Sequence, residues 1–164
     1  MIRSTLVAVA TGLALASMSG SAFAKTDKAF ITDAIKGDNS EMTLGKMAAR
    51  MGTSDGIRSF GRTLETDHGK AKKDAVTVAK KLGVKPPSEM SDEAKKEQAK
   101  LQGMSGEDFD EEFARYMVKD HKKDIAEFEA KAKDGKDATS TLAEKTLPAL
   151  RKHLRMAQKL DKEM

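Results

Sequence analysis

The nine residues FGRTLETDH at positions 60–68 are matched by FARYMVKDH at positions 113–121. Both begin with phenylalanine and glycine or alanine, and both end in Asp-His. The chain has only three histidines among 164 residues, so two of them occupy the same place in a repeated pattern. Around each copy the apolar residues recur at the helical spacing of three and four, and sustained strand-type alternation is found nowhere. The repeat is thus read as two helices, pseudo-equivalent in role, each carrying an imidazole on its apolar stripe.

Extending the period outward gives four long helices. The first runs from about Asp27 to Met51 with Ile31, Ala34, Asp38, Glu41, Gly45 and Ala48 on one face, and Gly52 ends it. The second follows Ser54, an N-cap residue type, and places Ile57, Phe60, Leu64, His68, Ala71, Ala75, Val78 and Leu82 together. Gly83 and Pro86-Pro87 stop it. The third follows Ser105-Gly106 with Phe109, Phe113, Met117, His121, Ile125, Phe128 and Ala132, and Asp134-Gly135 closes it. The fourth carries Leu142, Thr146, Ala149 or Leu150, His153, Ala157 and Leu160, and Pro148 inside it predicts a kink or a helix that begins only there.

Between the second and third long helices lies a connection too long for an ordinary bundle loop. Within it, residues 91–101 have a capping serine and strong helix formers, which predicts a short helix crossing the bundle end. The expected fold is all-α, a ferritin-like four-helix bundle with a long crossover containing a short helix. A plain up-down-up-down bundle is the alternative, and the two differ in whether the middle segment runs the bundle's length.

Residues 1–24 are set apart from this fold. Arg3, an uncharged apolar run and Ala22-Phe23-Ala24 form the pattern of a cleavable export signal, with cleavage expected between Ala24 and Lys25. The apolar run is shorter than the roughly 20 residues a spanning helix needs, so no stable membrane span is expected after cleavage. The bundle would occupy residues 25–164, and a periplasmic location is expected. Cysteine is absent, which excludes thiolate catalysis, iron–sulfur clusters and disulfides, so packing must hold the fold. The net charge is only +4, with 34% charged residues of both signs interleaved. With no tryptophan and one tyrosine, neither a basic stripe nor a stacking platform for nucleic acid is present. Nor is there a phosphate loop, nucleotide fingerprint or Ser-His-Asp arrangement.

The candidate functional residues interrupt the apolar stripes. His68, His121 and His153 lie on three helices and Glu41 interrupts the fourth. Counting back from the turns places all four near mid-bundle, with offsets of roughly 5 to 6 Å at about 1.5 Å rise per residue. Glu65 precedes His68 by one turn on the same face, the Glu-x-x-His presentation of carboxylate bundles. The metal reading therefore names Glu41, Glu65, His68, His121 and His153 as ligands of a single transition-metal ion, Zn, Cu or Fe. A buried His–carboxylate hydrogen-bond network in a structural or interaction module explains the same residues without metal. Asp67 and Asp120 point about 100° away round the helix and suit supporting or interhelical bonds. Met47, Met51, Met117 and Met156 beside this layer would favour Cu(I) if their thioethers joined it, but methionines at helical spacing are read as core filler.

Gly37 with residues 41–48, the repeat at 60–68, Gly106, Phe109 and Asp110 leading to residues 116–121, and Thr146-Leu147-Pro148 before His153-Leu154 resemble the bacterial exported family numbered 4142 among domains of unknown function. That family belongs to the ferritin-like superfamily. The resemblance implies an exported helical bundle with no assigned reaction; the role expected from the metal reading is metal handling or envelope stress tolerance. Ferritin-like di-iron relatives carry Glu on two helices and Glu-x-x-His on two others. Glu41 and the pair Glu65 with His68 match one half, but Val118 and Leu150 stand where the second half would need carboxylates. An oxidase or peroxide-consuming activity is accordingly the minority reading, and the resemblance suits one ion better than two. No protein partner is indicated.

Overall fold

A computed structural model describes residues 25–164; the export signal expected over residues 1–24 lies outside the described residues. Five helices follow in order: α1 Asp27–Met51, α2 Asp55–Lys81, α3 Asp92–Gln102, α4 Gly106–Lys133 and α5 Ala138–Glu163. Each long helix is amphipathic, and the stripe is buried through the middle of the bundle and only partly so toward its lower end, where Ile125 and Phe128 of α4 are half-buried. Caps fix the starts. The hydroxyls of Ser54 and Ser91 accept from the backbone N–H of Ile57 (3.2 Å) and Ala94 (3.1 Å), and the Asp137 carboxylate accepts from Thr139 and Ser140, both at 2.8 Å. These bonds satisfy backbone donors that the first turn leaves without helical partners.

The topology is fixed by contacts at the two ends. At the upper end the buried Asp110, in the second turn of α4, accepts from the backbone N–H of Thr53 (2.9 Å) and Ser54 (2.7 Å) in the α1–α2 turn. At the lower end Lys131 of α4 pairs with Asp27, the first residue of α1. So α1 runs up, α2 and α4 run down and α5 runs up. The segment from Leu82 to Ser105 must therefore span the bundle's length, which is the ferritin-like arrangement and excludes the up-down-up-down alternative.

The short helix α3 departs from expectation in direction. Instead of crossing the bundle end it lies along the flank, against α1 and α4. Ser91 donates its N–H to Ser40 Oγ at 3.1 Å, midway along α1. Glu93 pairs with Lys119 (2.7 Å) and Lys123 (3.3 Å) of α4, and Leu101 is buried in the upper core. Eleven residues of helix advance the chain by about 16 Å, distance the crossover has to cover in any case. Asn39 helps to anchor it by donating to the carbonyls of Pro87 (3.2 Å) and Glu89 (2.9 Å).

Pro148 does not start α5, which begins ten residues earlier at Ala138. The proline removes the donor for the Glu144 carbonyl. Both residues lie on the exposed face, where water can take that carbonyl, so the helix continues through the proline.

The core has two apolar compartments. The upper one contains Leu44, Ile57, Phe60, Leu64, Phe109, Phe113 and Met117. The lower one contains Ile31, Ile35, Ala75, Val78, Ala79 and Leu142. Their separation is set by residues Asp38, Glu41, His68, His121 and His153, all at most 7% exposed. Backbone proximity holds the α1–α2 seam just above this layer. A Cβ on Gly45 would meet the Gly61 carbonyl oxygen at 2.7 Å, and one on Gly61 would collide with the Gly45 oxygen and meet the Ala49 nitrogen at 2.6 Å.

Such contact leaves no room for a methyl group. Gly61→Ala should destabilise the protein by about 1–3 kcal/mol as the helices are forced apart. Gly69→Ala, whose Cβ would meet only Met42 Cε at 3.8 Å, should stabilise by up to about 1 kcal/mol through helix propensity. Urea unfolding of both variants checks the opposite signs; equal behaviour would show that the seam is not sterically closed.

Candidate metal centre

The polar layer is assembled by helical register. His68, His121 and His153 each stand one helix turn beyond a large core residue, Leu64, Met117 or Leu150, on the same stripe. The three rings come together with centroid separations of 5.9 Å (His68–His121), 5.2 Å (His68–His153) and 5.4 Å (His121–His153). One ligand nitrogen from each lies within 4.8 Å of the others.

Each imidazole uses one nitrogen for a hydrogen bond that orients it. His68 Nδ1 lies 2.9 Å from Asp38 Oδ1, His121 Nδ1 lies 3.0 Å from the Met117 carbonyl oxygen, and His153 Nε2 lies 3.1 Å from Asp67 Oδ2. All three partners are acceptors when the carboxylates are ionised, so the rings are the donors. The opposite nitrogens, Nε2 of His68, Nε2 of His121 and Nδ1 of His153, are buried and have no protein partner. Three lone pairs are thereby left inside the bundle.

Glu41 lies beside them. Its Oε2 is 4.0 Å from His68 Nε2 and its Oε1 is 3.9 Å from His121 Nδ1, too far for hydrogen bonds. Neither oxygen meets a donor although the residue is only 1% exposed. Burial first, then the carboxyls of Asp120, Asp124 and Asp38, hold Glu41 well above the usual carboxylate range. With no donor nearby, a proton is what allows Glu41 and Asp120 to face one another. Burial, followed by Asp120 and Glu127, likewise raises Asp124.

The imidazoles shift the other way. Burial, then the neighbouring His68 and His153, keep His121 well below the ordinary histidine range. Burial and His68 lower His153 to about 4, against the opposing bond to Asp67. Burial raises Asp38 despite its bond to His68. For Asp67 burial is outweighed by His153 and Lys152, so its carboxyl lies below the usual value.

The five residues named from sequence are not equally placed. His68, His121 and His153 form the cluster and Glu41 adjoins it. Glu65 is half-buried and makes no hydrogen bond or ion pair among the described residues; it stands at the α1–α2 seam, where its backbone nitrogen is 3.1 Å from the Cβ position of Gly45. Asp67 makes the interhelical bond expected of it. Asp38, which orients His68, was visible in sequence only as an acidic residue on an apolar stripe three positions before Glu41. Met117, Met47 and Met156 pack with the upper core.

The structure is similar to the crystal structure of a DUF305 fragment from Deinococcus radiodurans, with a TM-score of 0.74 and 15% sequence identity over 84% of this chain and 96% of that one. At that identity the likeness concerns the fold. Comparison with curated proteins returns no match. No described helix is long and apolar enough to cross a membrane. The match to the family described as a domain of unknown function (DUF4142) extends over residues 12–160, and with the helical bundle and its histidine layer on the same stretch, the chain belongs to that family.

Proposed function

We propose that the protein binds one transition-metal ion through His68, His121 and His153, with Glu41 as the adjoining carboxylate, and serves metal handling or stress tolerance in the bacterial envelope. The observation that carries this reading is the division of labour within each ring. One nitrogen is tied to a carboxylate or backbone carbonyl and the other is buried without a partner. Metal-ligating histidines are held in this way, because the outer bond fixes the tautomer and turns the free lone pair toward the ion.

Chemistry supports the same ion class. Three neutral imidazoles and a carboxylate suit Zn, Cu or Fe rather than Mg or Ca. Tetrahedral zinc places its nitrogen ligands about 3.4 Å apart, a contraction from the observed cluster that small side-chain rotations supply. An ion would also supply the positive charge that Glu41 lacks, removing the reason for that carboxyl to hold a proton. The two-metal oxidase or peroxidase reading has less support. Val118 is packed against the upper apolar core and Leu150 is buried, leaving those two helices without a carboxylate one turn before the histidine. Residues 1–24 would deliver the bundle to the periplasm.

The competing structural-network reading is favoured by the three outer hydrogen bonds, but it leaves three buried ring nitrogens around the centre unsatisfied. Buried polar atoms without partners cost about 1–3 kcal/mol each. A bound ion accounts for them together.

Protein purified from the envelope without chelator should contain close to one equivalent of transition metal by elemental analysis. His68→Ala, His121→Ala and His153→Ala should each lower that stoichiometry severalfold. Added Zn²⁺ at 100 times its dissociation constant should raise wild-type stability by about 2.7 kcal/mol. Unchanged metal content in all three variants would refute the site.

The neutral His153 also makes the metal-free protein pH-sensitive. Its folded value near 4 lies below the ordinary 6.5, so between these values the unfolded chain binds a proton that the native ring refuses. Stability contributed at His153 is therefore complete above about pH 6.5 and is lost as pH falls toward 4. In chelator, the stability of wild type relative to His153→Gln should drop by up to about 3 kcal/mol across that window. Denaturant titrations at several pH values check it; a constant difference would mean that the ring is not held neutral.

A further inference from the structure

A cavity of about 200 Å³ lies between α1 and α4 and reaches the histidine layer, with Asp38 and His68 among its lining residues. His68 is 4% exposed and its Nε2 has no partner, so a residue with an unsatisfied buried nitrogen forms part of the lining. Asp120 and Asp124, one turn apart on α4, form one wall. Asp124 Oδ2 faces α1 at Gly37, 3.9 Å from where a Cβ would stand.

Counter-charge is present around this cavity but engaged elsewhere. Lys36 pairs with Glu89 at 3.0 Å and Lys123 with Glu93 at 3.3 Å. Lys25 bridges Asp33 of α1 (2.9 Å) and Glu127 of α4 (2.8 Å). None of these lysines pairs with Asp120 or Asp124. The inner wall thus offers carboxyl oxygens without a cationic partner, directly before a nitrogen-rich site.

We propose that this cleft is the loading route of the histidine centre and that Asp120 and Asp124 form a transit site for a divalent transition-metal ion. The inference rests on the metal reading given above. Oxygen donors exchange such ions readily, whereas the imidazoles beyond them hold Zn, Cu or Fe more tightly, so the gradient of affinity points inward. Five carboxyls against three lysines line the cleft, and an acidic excess between low-dielectric walls speeds the arrival of a cation, by about 10-fold at the low end of such effects.

The test uses the metal-depleted protein mixed with Co²⁺ in a stopped-flow instrument, following the visible absorption of the bound ion. Wild type, Asp124→Asn, Asp120→Asn/Asp124→Asn and the exposed control Asp161→Asn are compared after circular dichroism confirms folding. The double variant should load at least about tenfold more slowly and the single variant by a smaller factor, while final stoichiometry and the control are unchanged. The wild-type rate should fall with added salt more steeply than that of the double variant, a readout that does not depend on any variant's stability. Equal rates at equal final stoichiometry overturn the route and leave the histidine site intact. Loss of final occupancy in the double variant also overturns it, since the carboxyls would then be resident ligands. If wild type takes up no Co²⁺, the metal reading and the route fall together.

Discussion

A layer of three imidazoles and one carboxyl, sealed between two apolar compartments, is the feature on which the architecture turns. Packing alone would favour leucine or phenylalanine at those four positions, since burying polar groups without partners is costly. The chain instead places one at mid-height on every long helix. It does so with continuous apolar packing above and below, so the layer is carried by the rest of the core and does not hold the bundle together itself. On the metal reading proposed above, a bound ion offsets that cost.

The surrounding structure keeps the layer in register. Vertical slippage of α4 is opposed at both ends, by Asp110 on the α1–α2 turn and by Lys131 on Asp27. Lateral spacing of α1 and α2 is set by Gly45 and Gly61, whose backbones touch one turn above Glu41 and two turns above His68. The crossover is tied to the middle of α1 through Asn39 and Ser40, next in sequence to Asp38 and Glu41. Side-chain donors are placed to a fraction of an ångström only if the backbones are, and each of these contacts acts on backbone position.

Much of this was legible in sequence because periodicity reports burial directly. The stripes through Phe60, Leu64 and His68 and through Phe113, Met117 and His121 are the buried faces, and the long crossover required the ferritin-like connectivity. What was not legible depended on relations between helices. Asp38 could be seen on its stripe, but its bond to His68 needs the rotation of α1 against α2. Glu65 satisfied a local motif, yet the close Gly45 approach places α1 backbone beside it. The direction of α3 followed from where α4 begins, information that no local pattern carries. Pro148 left two readings open because its penalty depends on exposure of the Glu144 carbonyl, which periodicity only suggests, and the later helix start is the one the structure removes.

The charge balance at the centre constrains what kind of ion the layer can accept. Desolvation lowers the proton affinity of His121 and His153 and raises that of Glu41, so both ligand types tend toward neutrality in the absence of a cation. Neutral imidazoles cost nothing to deprotonate before binding, but Glu41 must release a proton to become a ligand. A divalent ion facing three neutral nitrogens and one carboxylate retains one net positive charge, partly offset by Asp38 and Asp67 behind the rings. A second divalent ion would have to share Glu41 without a Glu-x-x-His carboxylate from α4 or α5, where Val118 and Leu150 stand. The low-dielectric setting that would favour a single ion therefore works against a pair, which is why the function proposed above is retention of one ion and not two-metal chemistry.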